Sequence, residues 1–151
     1  MFSKQSSAIL KQQFWTSFGQ YMAPVPPADG TKTNWINYKT GVKDIHFKFE
    51  AGSHEATIAI VLLHADTSRQ TYVFNQFVQL KHILEQSLQE EWQWQLKLPG
   101  ENNKTISRIS KTLSPVNIYR KEDWPLIISF FKPRIIALDL FWNAVKYSFE
   151  E

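Results

Sequence analysis

Three residues of this sequence carry side chains that bind divalent metal ions in many proteins. His64 and Asp66 follow an almost continuously apolar segment, residues 56–63, and His46 lies in a neighbouring segment of alternating polarity. Imidazole nitrogens and a carboxylate gathered at strand ends can hold zinc, which activates water for hydrolysis. One hypothesis is therefore a metal-dependent hydrolase or nuclease that uses His46, His64 and Asp66. The other assigns Asp66 to the N-cap of a helix and His64 to a strand end.

The sequence patterns of several enzyme classes are absent. A metal-dependent nuclease typically carries an aspartate on one strand and Glu-x-Lys on the next, but Thr57 stands two residues after Glu55, and Lys48 precedes Glu50. The chain has no Gly-x-Ser-x-Gly elbow and no glycine-rich phosphate loop. It also has no cysteine, which excludes disulfides and thiolate catalysis. We therefore predict no cofactor and no established catalytic residue.

A set of basic residues is suited to contact with phosphate groups. Alternation along the predicted strands places Lys48 and His46 on a polar face, together with Gln95 and Lys97 of a later strand. The aromatic rings alternate to the opposite face, which argues against a base-stacking platform, and the net charge of +3 is only mildly basic. Nucleic acid is a candidate partner, with five candidate contact residues: Lys48, Lys97, Lys104, Arg108 and Lys111.

The elements that would position these residues begin with an amphipathic helix over about residues 6–22. Its apolar side chains recur at spacings of three and four residues: Leu10, Phe14, Phe18 and Tyr21. Prolines and a glycine make residues 23–33 an extended loop. Three short strands are predicted next, over residues 35–39, 45–49 and 56–63. Their short connections favour antiparallel pairing.

The second half of the chain predicts a further helix, two or three strands and a long final helix. The helix has an apolar face of Val73, Phe77, Leu80, Leu84 and Leu88. One strand is predicted to begin at Trp92, and its return strand covers residues 105–113. A short edge segment is predicted at residues 116–119. Pro133 lies within the final apolar segment, residues 123–149, and predicts a kink or break near Lys132.

The predicted architecture is therefore a single α+β domain over residues 1–151. About five antiparallel strands pack against three main helices, in the order helix, three strands, helix, two or three strands, helix. The sheet and the later helices occupy residues 34–149. No segment has the ~18 consecutive apolar residues of a membrane helix, and the N-terminus lacks the apolar region of a secretory signal. No membrane association and a cytoplasmic location are expected.

Several segments resemble the bacterial and archaeal Domain of Unknown Function 4268 family. The resemblance rests on the segments 91–94 (Glu-Trp-Gln-Trp), 107–109 (Ser-Arg-Ile), 122–125 (Glu-Asp-Trp-Pro) and 141–142 (Phe-Trp), and on the passage 59–66. It extends from about Phe14 to Phe149. In longer proteins, domains of this kind follow a nuclease-like domain, so the resemblance implies an accessory role near DNA restriction or repair. The family has no established catalytic residues, and none is transferred.

The final helix carries more apolar side chains than one buried face requires, notably residues 127–131 and 138–142. Residues 56–63 are apolar on both faces of their predicted strand, so the face away from the helices must also be buried against another element. A homodimer formed through the C-terminal helix would supply it. The sequence as a whole favours a non-enzymatic interaction or accessory domain, and the metal-dependent hydrolase is the alternative.

Overall fold

The strands of this chain form a four-stranded antiparallel sheet in the computed structural model, which describes residues 4–149. They are β1 (Ile45–Ala51), β2 (Ala56–Leu62), β3 (Gln93–Pro99) and β4 (Thr105–Leu113). Their spatial order is β1-β2-β4-β3. The two central strands, β2 and β4, therefore pair on both sides, and β1 and β3 form the edges.

Four α-helices pack against one face of this sheet. They are α1 (Lys4–Met22), α2 (Thr67–Gln79), α3 (Lys81–Leu88) and α4 (Trp124–Val145), accompanied by short 3-10 turns at Glu101–Asn103, Lys121–Asp123 and Lys146–Ser148. Aromatic contacts link three of the helices to the sheet: Phe18 to Phe49, Phe74 to Trp94, and Trp142 to Phe47. The rings of the strands thus point into the helical layer, as their alternation predicts.

The prediction of about five strands is wrong in one place because residues 35–39 are not a strand: residues 35–37 form a bend and a turn, and residues 38–39 are irregular. The side-chain oxygen of Asn34 accepts hydrogen bonds from the amides of Ile36 (3.1 Å) and Asn37 (3.2 Å). These local bonds compete with strand pairing, as is typical of asparagine. The indole of Trp35 donates to the carbonyl of Val25 (3.1 Å), which fixes the turn to the proline-rich loop.

The predicted edge segment at residues 116–119 is also not a strand. The amides of Val116 and Ile118 donate to the carbonyls of His54 (3.1 Å) and Gly52 (3.0 Å), so this segment contacts the turn between β1 and β2. The Asn117 amide donates to the Asp123 carboxylate (2.9 Å) instead of a neighbouring strand. Side-chain bonds of this kind replace the regular ladder that a fifth strand would need.

The three predicted helices become four because the expected helix after β2 is divided. Leu80 has φ −97° and ψ 6°, outside the helical region, and it separates α2 from α3. The expected break near Lys132 does not occur, since α4 continues through Pro133. A proline removes one amide from the helical ladder, and the burial of Phe131 and Ile135 on either side holds the helix together.

Most of the apolar side chains of α4 are buried within the chain itself. Its buried apolar residues are Ile127, Phe130, Phe131, Ile135, Leu138, Phe141, Trp142 and Val145, and α4 contacts α1, α3 and the sheet. Leu126 and Leu140 remain exposed. In α1, Phe14 and Phe18 are buried as predicted, whereas Tyr21 is half exposed. No helix within residues 4–149 is long and apolar enough to cross a membrane.

Glu90 and Arg134 join the segment before β3 to α4 through a two-point ion pair. The Arg134 Nε and Nη2 atoms lie 2.8 Å from the two carboxylate oxygens of Glu90, and the Trp92 indole donates to the same carboxylate (2.8 Å). Burial raises the pKa of Glu90, but the hydrogen bonds from Arg134 and Trp92 and the charge of Arg134 outweigh it. The pKa therefore lies below its ordinary value of 4.5.

The variant Glu90→Gln is expected to lower the free energy of unfolding by about 1–2 kcal/mol at neutral pH, because it removes a charged acceptor from two donors. A carboxylate with a depressed pKa stabilises the fold above its unfolded pKa, and this contribution is lost as pH falls through the lower folded pKa. Urea unfolding should therefore show the difference between wild type and variant shrinking from about pH 5 downwards. A difference independent of pH would contradict the prediction.

Candidate interaction surface

The face of the sheet opposite the helices is polar and is organised in three rows across the strands. Strand register places His46, Val61, Arg108 and Gln95 in one row. The second row is Lys48, Ala59, Ser110 and Gln93, and the third is Glu50, Thr57 and Thr112. We refer to these eleven residues as the polar sheet face.

Two side-chain contacts confirm that these residues share one face. The Arg108 Nε atom donates to Gln95 Oε1 (3.0 Å), and the hydroxyls of Thr57 and Thr112 lie 2.8 Å apart. At the edges of the face, Lys48, Glu50, Gln93 and Thr112 are exposed. The surface therefore presents cationic, amide and hydroxyl groups over both central strands.

On the polar sheet face, strand β2 carries small side chains. Thr57, Ala59 and Val61 are 7%, 4% and 7% exposed, yet neither Ala59 nor Val61 belongs to the core cluster that includes Ile58 and Ile60. Side chains of the neighbouring strands flank these small residues and reduce their exposure. The burial of β2 on its second face thus does not require the covering partner that its apolar sequence suggested.

The electrostatics of this face favour a neutral imidazole beside two fixed cations. Burial lowers the pKa of His46, and the neighbouring charge of Lys48 lowers it further, against a smaller opposing effect of Asp44. His46 therefore acts at neutral pH as a hydrogen-bonding group. Lys48 and Arg108 carry positive charge on the face, and Glu50 carries the negative charge.

The structure divides the five basic candidates among three places. Lys48 and Arg108 lie on the polar sheet face. Lys97 and Lys104 line a separate hollow of about 440 Å³ beside Thr67, at the β3–β4 hairpin. Lys111 is three residues from Arg108, so it points to the opposite face of β4, where its Nζ atom donates to the Glu91 carbonyl (3.2 Å).

A bulge in β3 explains why Lys97 leaves the face on which its spacing placed it. Pairing shifts between Gln95 and Leu98, so Leu98 pairs with Ile106 and returns to the face of Gln95. Lys97 itself has a positive φ of 58°, and its amide donates to the Ser107 hydroxyl (3.0 Å). The extra residue reverses the alternation that the sequence suggested.

Sequence reasoning missed the hydroxyl row formed by Thr57 and Thr112. The signal was present, since Thr57, Ala59 and Val61 are the smaller side chains at alternate positions of an otherwise aliphatic strand. This spacing of two residues marks one face of β2 as different from the face of Ile58, Ile60 and Leu62.

The three candidate metal ligands are placed on different parts of the fold. His46 lies on the polar sheet face, whereas His64 lines a hollow on the helical side. Asp66 caps α2, because its Oδ1 atom accepts from the amides of Ser68 (2.8 Å) and Arg69 (3.3 Å). Within residues 4–149, no three residues of metal-binding type are gathered into a site. The capping assignment of Asp66 is confirmed.

The hollow beside His64 has a volume of about 490 Å³, and its lining includes Lys43, Asp44, Val73 and Phe149. Asp44 has a positive φ of 67°. Burial lowers the pKa of His64, and Arg69 lowers it further, whereas Asp44 opposes the shift. The imidazole is therefore neutral at neutral pH, and its Nδ1 atom is buried and has no hydrogen-bond partner among residues 4–149.

These features define an α+β domain with helices on one face of a four-stranded sheet and a polar surface on the other. The family described as Domain of unknown function (DUF4268) matches residues 10–146. The chain belongs to this family, as its resemblance predicted.

Among curated proteins, the chain is similar to the uncharacterized protein MJECL04 of Methanocaldococcus jannaschii, with 37% identity over 51 residues. The match covers 34% of this chain and 12% of that protein, so it spans only a small part of the relative's length. No solved structure matches the chain.

Proposed function

We propose that this domain is a non-enzymatic binding module and that its polar sheet face contacts nucleic acid. The observation that carries the proposal is the strand register, which brings Lys48 and Arg108 onto one face with amide and hydroxyl groups between and around them. The rings of α1, α2 and α4 contact the other face. The polar groups are thus displayed by a rigid sheet.

The chemistry of this face suits the nucleic-acid backbone better than the bases. Lysine and arginine neutralise phosphates, and side-chain amides and hydroxyls donate to phosphate and sugar oxygens. The aromatic rings that would stack on bases point into the helical layer: Phe47, Phe49 and Trp94. Contact of this kind is insensitive to sequence, so the expected role is accessory, and the family resemblance suggests DNA restriction or repair systems as its setting.

The test is binding of fluorescently labelled duplex DNA, measured by anisotropy between about 50 and about 200 mM salt. Wild-type affinity should fall steeply with salt because phosphate contacts release counterions. The variant Arg108→Gln is expected to bind about 3–10-fold more weakly and to reduce the salt slope by about 1, as expected for the loss of one phosphate contact.

Arg120→Gln is the matched control, because it makes the same change of charge at an exposed residue that lies outside the sheet. It should leave affinity and salt slope close to those of wild type. Equal losses in the two variants would show that only overall charge matters. That result, or no binding at the lower salt concentration, would refute the proposed surface.

A further inference from the structure

Strand β1 has one edge that pairs with β2 and one edge that pairs with no strand in residues 4–149. The Leu63 amide donates to the Asp44 carbonyl (2.9 Å), and the Gly52 amide donates to the Glu55 carbonyl (3.0 Å). In an antiparallel pair, hydrogen-bonded positions alternate. The even-numbered residues of β1 therefore bond to β2, and the backbone groups of Phe47, Phe49 and Ala51 point outward.

Among the described residues, this free edge carries backbone hydrogen bonds only at its beginning. The Ile45 amide donates to the Val42 carbonyl (3.3 Å), and the Ile45 carbonyl accepts from the Thr40 hydroxyl (2.8 Å). For Phe47, Phe49 and Ala51, no outward backbone hydrogen bond occurs within the described part of the chain. An edge of this kind is a template for another strand.

There is open space at the Phe49–Ala51 end of the free edge, next to the turn that joins β1 to β2. A groove of about 880 Å³ lies at Phe49 and Ala51, bounded by Lys11 and Trp15 of α1 and by Ile36. The residues on the polar side of β1 alternate in charge, with Lys48 and Glu50 both exposed at the edge. A strand added at this edge would hydrogen-bond to the outward backbone groups of β1. It would also lie beside the charges of Lys48 and Glu50.

We propose that a second copy of this chain occupies the free edge, with the two β1 strands paired antiparallel. Phe49 of one copy lies opposite Phe49 of the other, and Lys48 of each copy lies opposite Glu50 of its partner. The two sheets then form one continuous sheet of eight strands, since each copy supplies four. This inference goes beyond the proposed function, and it places the dimer interface on β1 instead of on α4.

Charge favours this register over the two nearest registers that the outward backbone groups allow. Pairing Phe47 with Phe49 of the partner would place two Lys48 side chains opposite each other. Pairing Phe49 with Ala51 would do the same with two Glu50 side chains. The proposed register replaces both repulsions by two Lys48–Glu50 pairs at non-hydrogen-bonded positions, where opposite side chains approach most closely.

The experiment is a charge exchange, with mass measured by light scattering after size-exclusion chromatography over a range of protein concentrations. Wild type should approach twice the mass of the 17.7 kDa chain as concentration rises. Lys48→Glu and Glu50→Lys alone should each weaken the dimer by about tenfold or more, because each creates two like-charge pairs. The double variant K48E/E50K should restore it.

Lys104→Glu and Glu91→Lys are the matched controls, since both side chains are exposed and lie outside β1. Both should leave the dimer unchanged, and circular dichroism should show all variants folded. A wild-type mass that remains monomeric at every concentration would overturn the proposal, and so would a folded double variant that stays monomeric. DNA binding is tested through Arg108, so its failure leaves this test intact.

Discussion

Replacing Asp139 by alanine is expected to lower the free energy of unfolding by about 3 kcal/mol. This carboxylate is 2% exposed. Its Oδ2 atom accepts from the Ala28 amide (2.7 Å), and its Oδ1 atom accepts from the Tyr38 hydroxyl and from Asn143 Nδ2 (3.0 Å). The truncation leaves partly buried donors of the loop between α1 and β1 without this acceptor, and each unpaired buried group costs about 1–3 kcal/mol.

The hydroxyl of Tyr38 keeps its proton and donates it to this carboxylate. Burial raises the pKa of Tyr38, and the hydrogen bond and charge of Asp139 raise it further. The ring also stacks on Phe47 of β1 at 5.0 Å between centroids. Asp139 therefore joins the segment between α1 and β1 to α4, at the place where the Tyr38 ring of this segment packs against β1.

Urea unfolding of four proteins measures the contribution of this contact: wild type, Asp139→Ala, Tyr38→Phe and the double variant. Tyr38→Phe alone should cost about 1 kcal/mol, because Asp139 keeps its other donors. The double variant should cost less than the sum of the single changes, since both remove the same bond. A change below about 0.5 kcal/mol in Asp139→Ala, the usual range for exposed sites, would be incompatible with this role.

The parts of the fold that the sequence predicted well are those where side-chain periodicity and burial agree. Phe14 and Phe18 mark the buried face of α1, and Phe47 marks that of β1. Asp66 caps α2 because an aspartate follows a strand directly before a helical pattern. In each of these places, local propensity and tertiary packing favour the same structure.

The parts that could not be predicted depend on contacts between distant residues. The pattern of residues 35–39 is that of a strand, but Trp35 bonds to Val25 and Asn34 closes a local turn. The bulge that moves Lys97 off the polar sheet face depends on Ser107 across the hairpin. Alternation cannot reveal such a shift, because one inserted residue reverses every following position.

Three of the four tryptophans that carry the family resemblance form hydrogen bonds through their indole nitrogens. Trp92 donates to Glu90 (2.8 Å), Trp124 to the Ile118 carbonyl (2.6 Å) and Trp142 to the Thr40 carbonyl (2.7 Å). A buried indole usually has such a partner, whereas the Trp94 nitrogen is buried without one among residues 4–149. These motifs therefore identify the fold, and the binding surface has to be found from the strand register.

The residue that supports the end of this surface is Gln70, which is completely buried in α2. Its Nε2 atom donates to the carbonyls of His64 (3.0 Å) and Thr105 (2.9 Å), and its Oε1 atom accepts from the Ser107 hydroxyl (2.6 Å). Ser107 in turn accepts from the Lys97 amide. One side chain thus joins the ends of two central strands to the bulge of β3.

Gln70→Leu is expected to lower the free energy of unfolding by about 2–4 kcal/mol, because an apolar side chain of similar size leaves two carbonyls without this donor and the Ser107 hydroxyl proton without an acceptor. Ser107→Ala should cost less, about 1–2 kcal/mol, and should speed hydrogen exchange at the Lys97 amide. Urea unfolding measures the two free energies, and NMR measures the hydrogen-exchange rate of the Lys97 amide.

Gln76→Leu is the matched control, because Gln76 lies on the same helix and makes an exposed bond to the Ser148 carbonyl (3.2 Å). Its effect should stay within about 0.5 kcal/mol. If Gln70→Leu were as mild as this control, burial alone and not hydrogen bonding would fix Gln70. The orientation of Arg108, which follows Ser107 directly in β4, would then depend on strand pairing without support from α2.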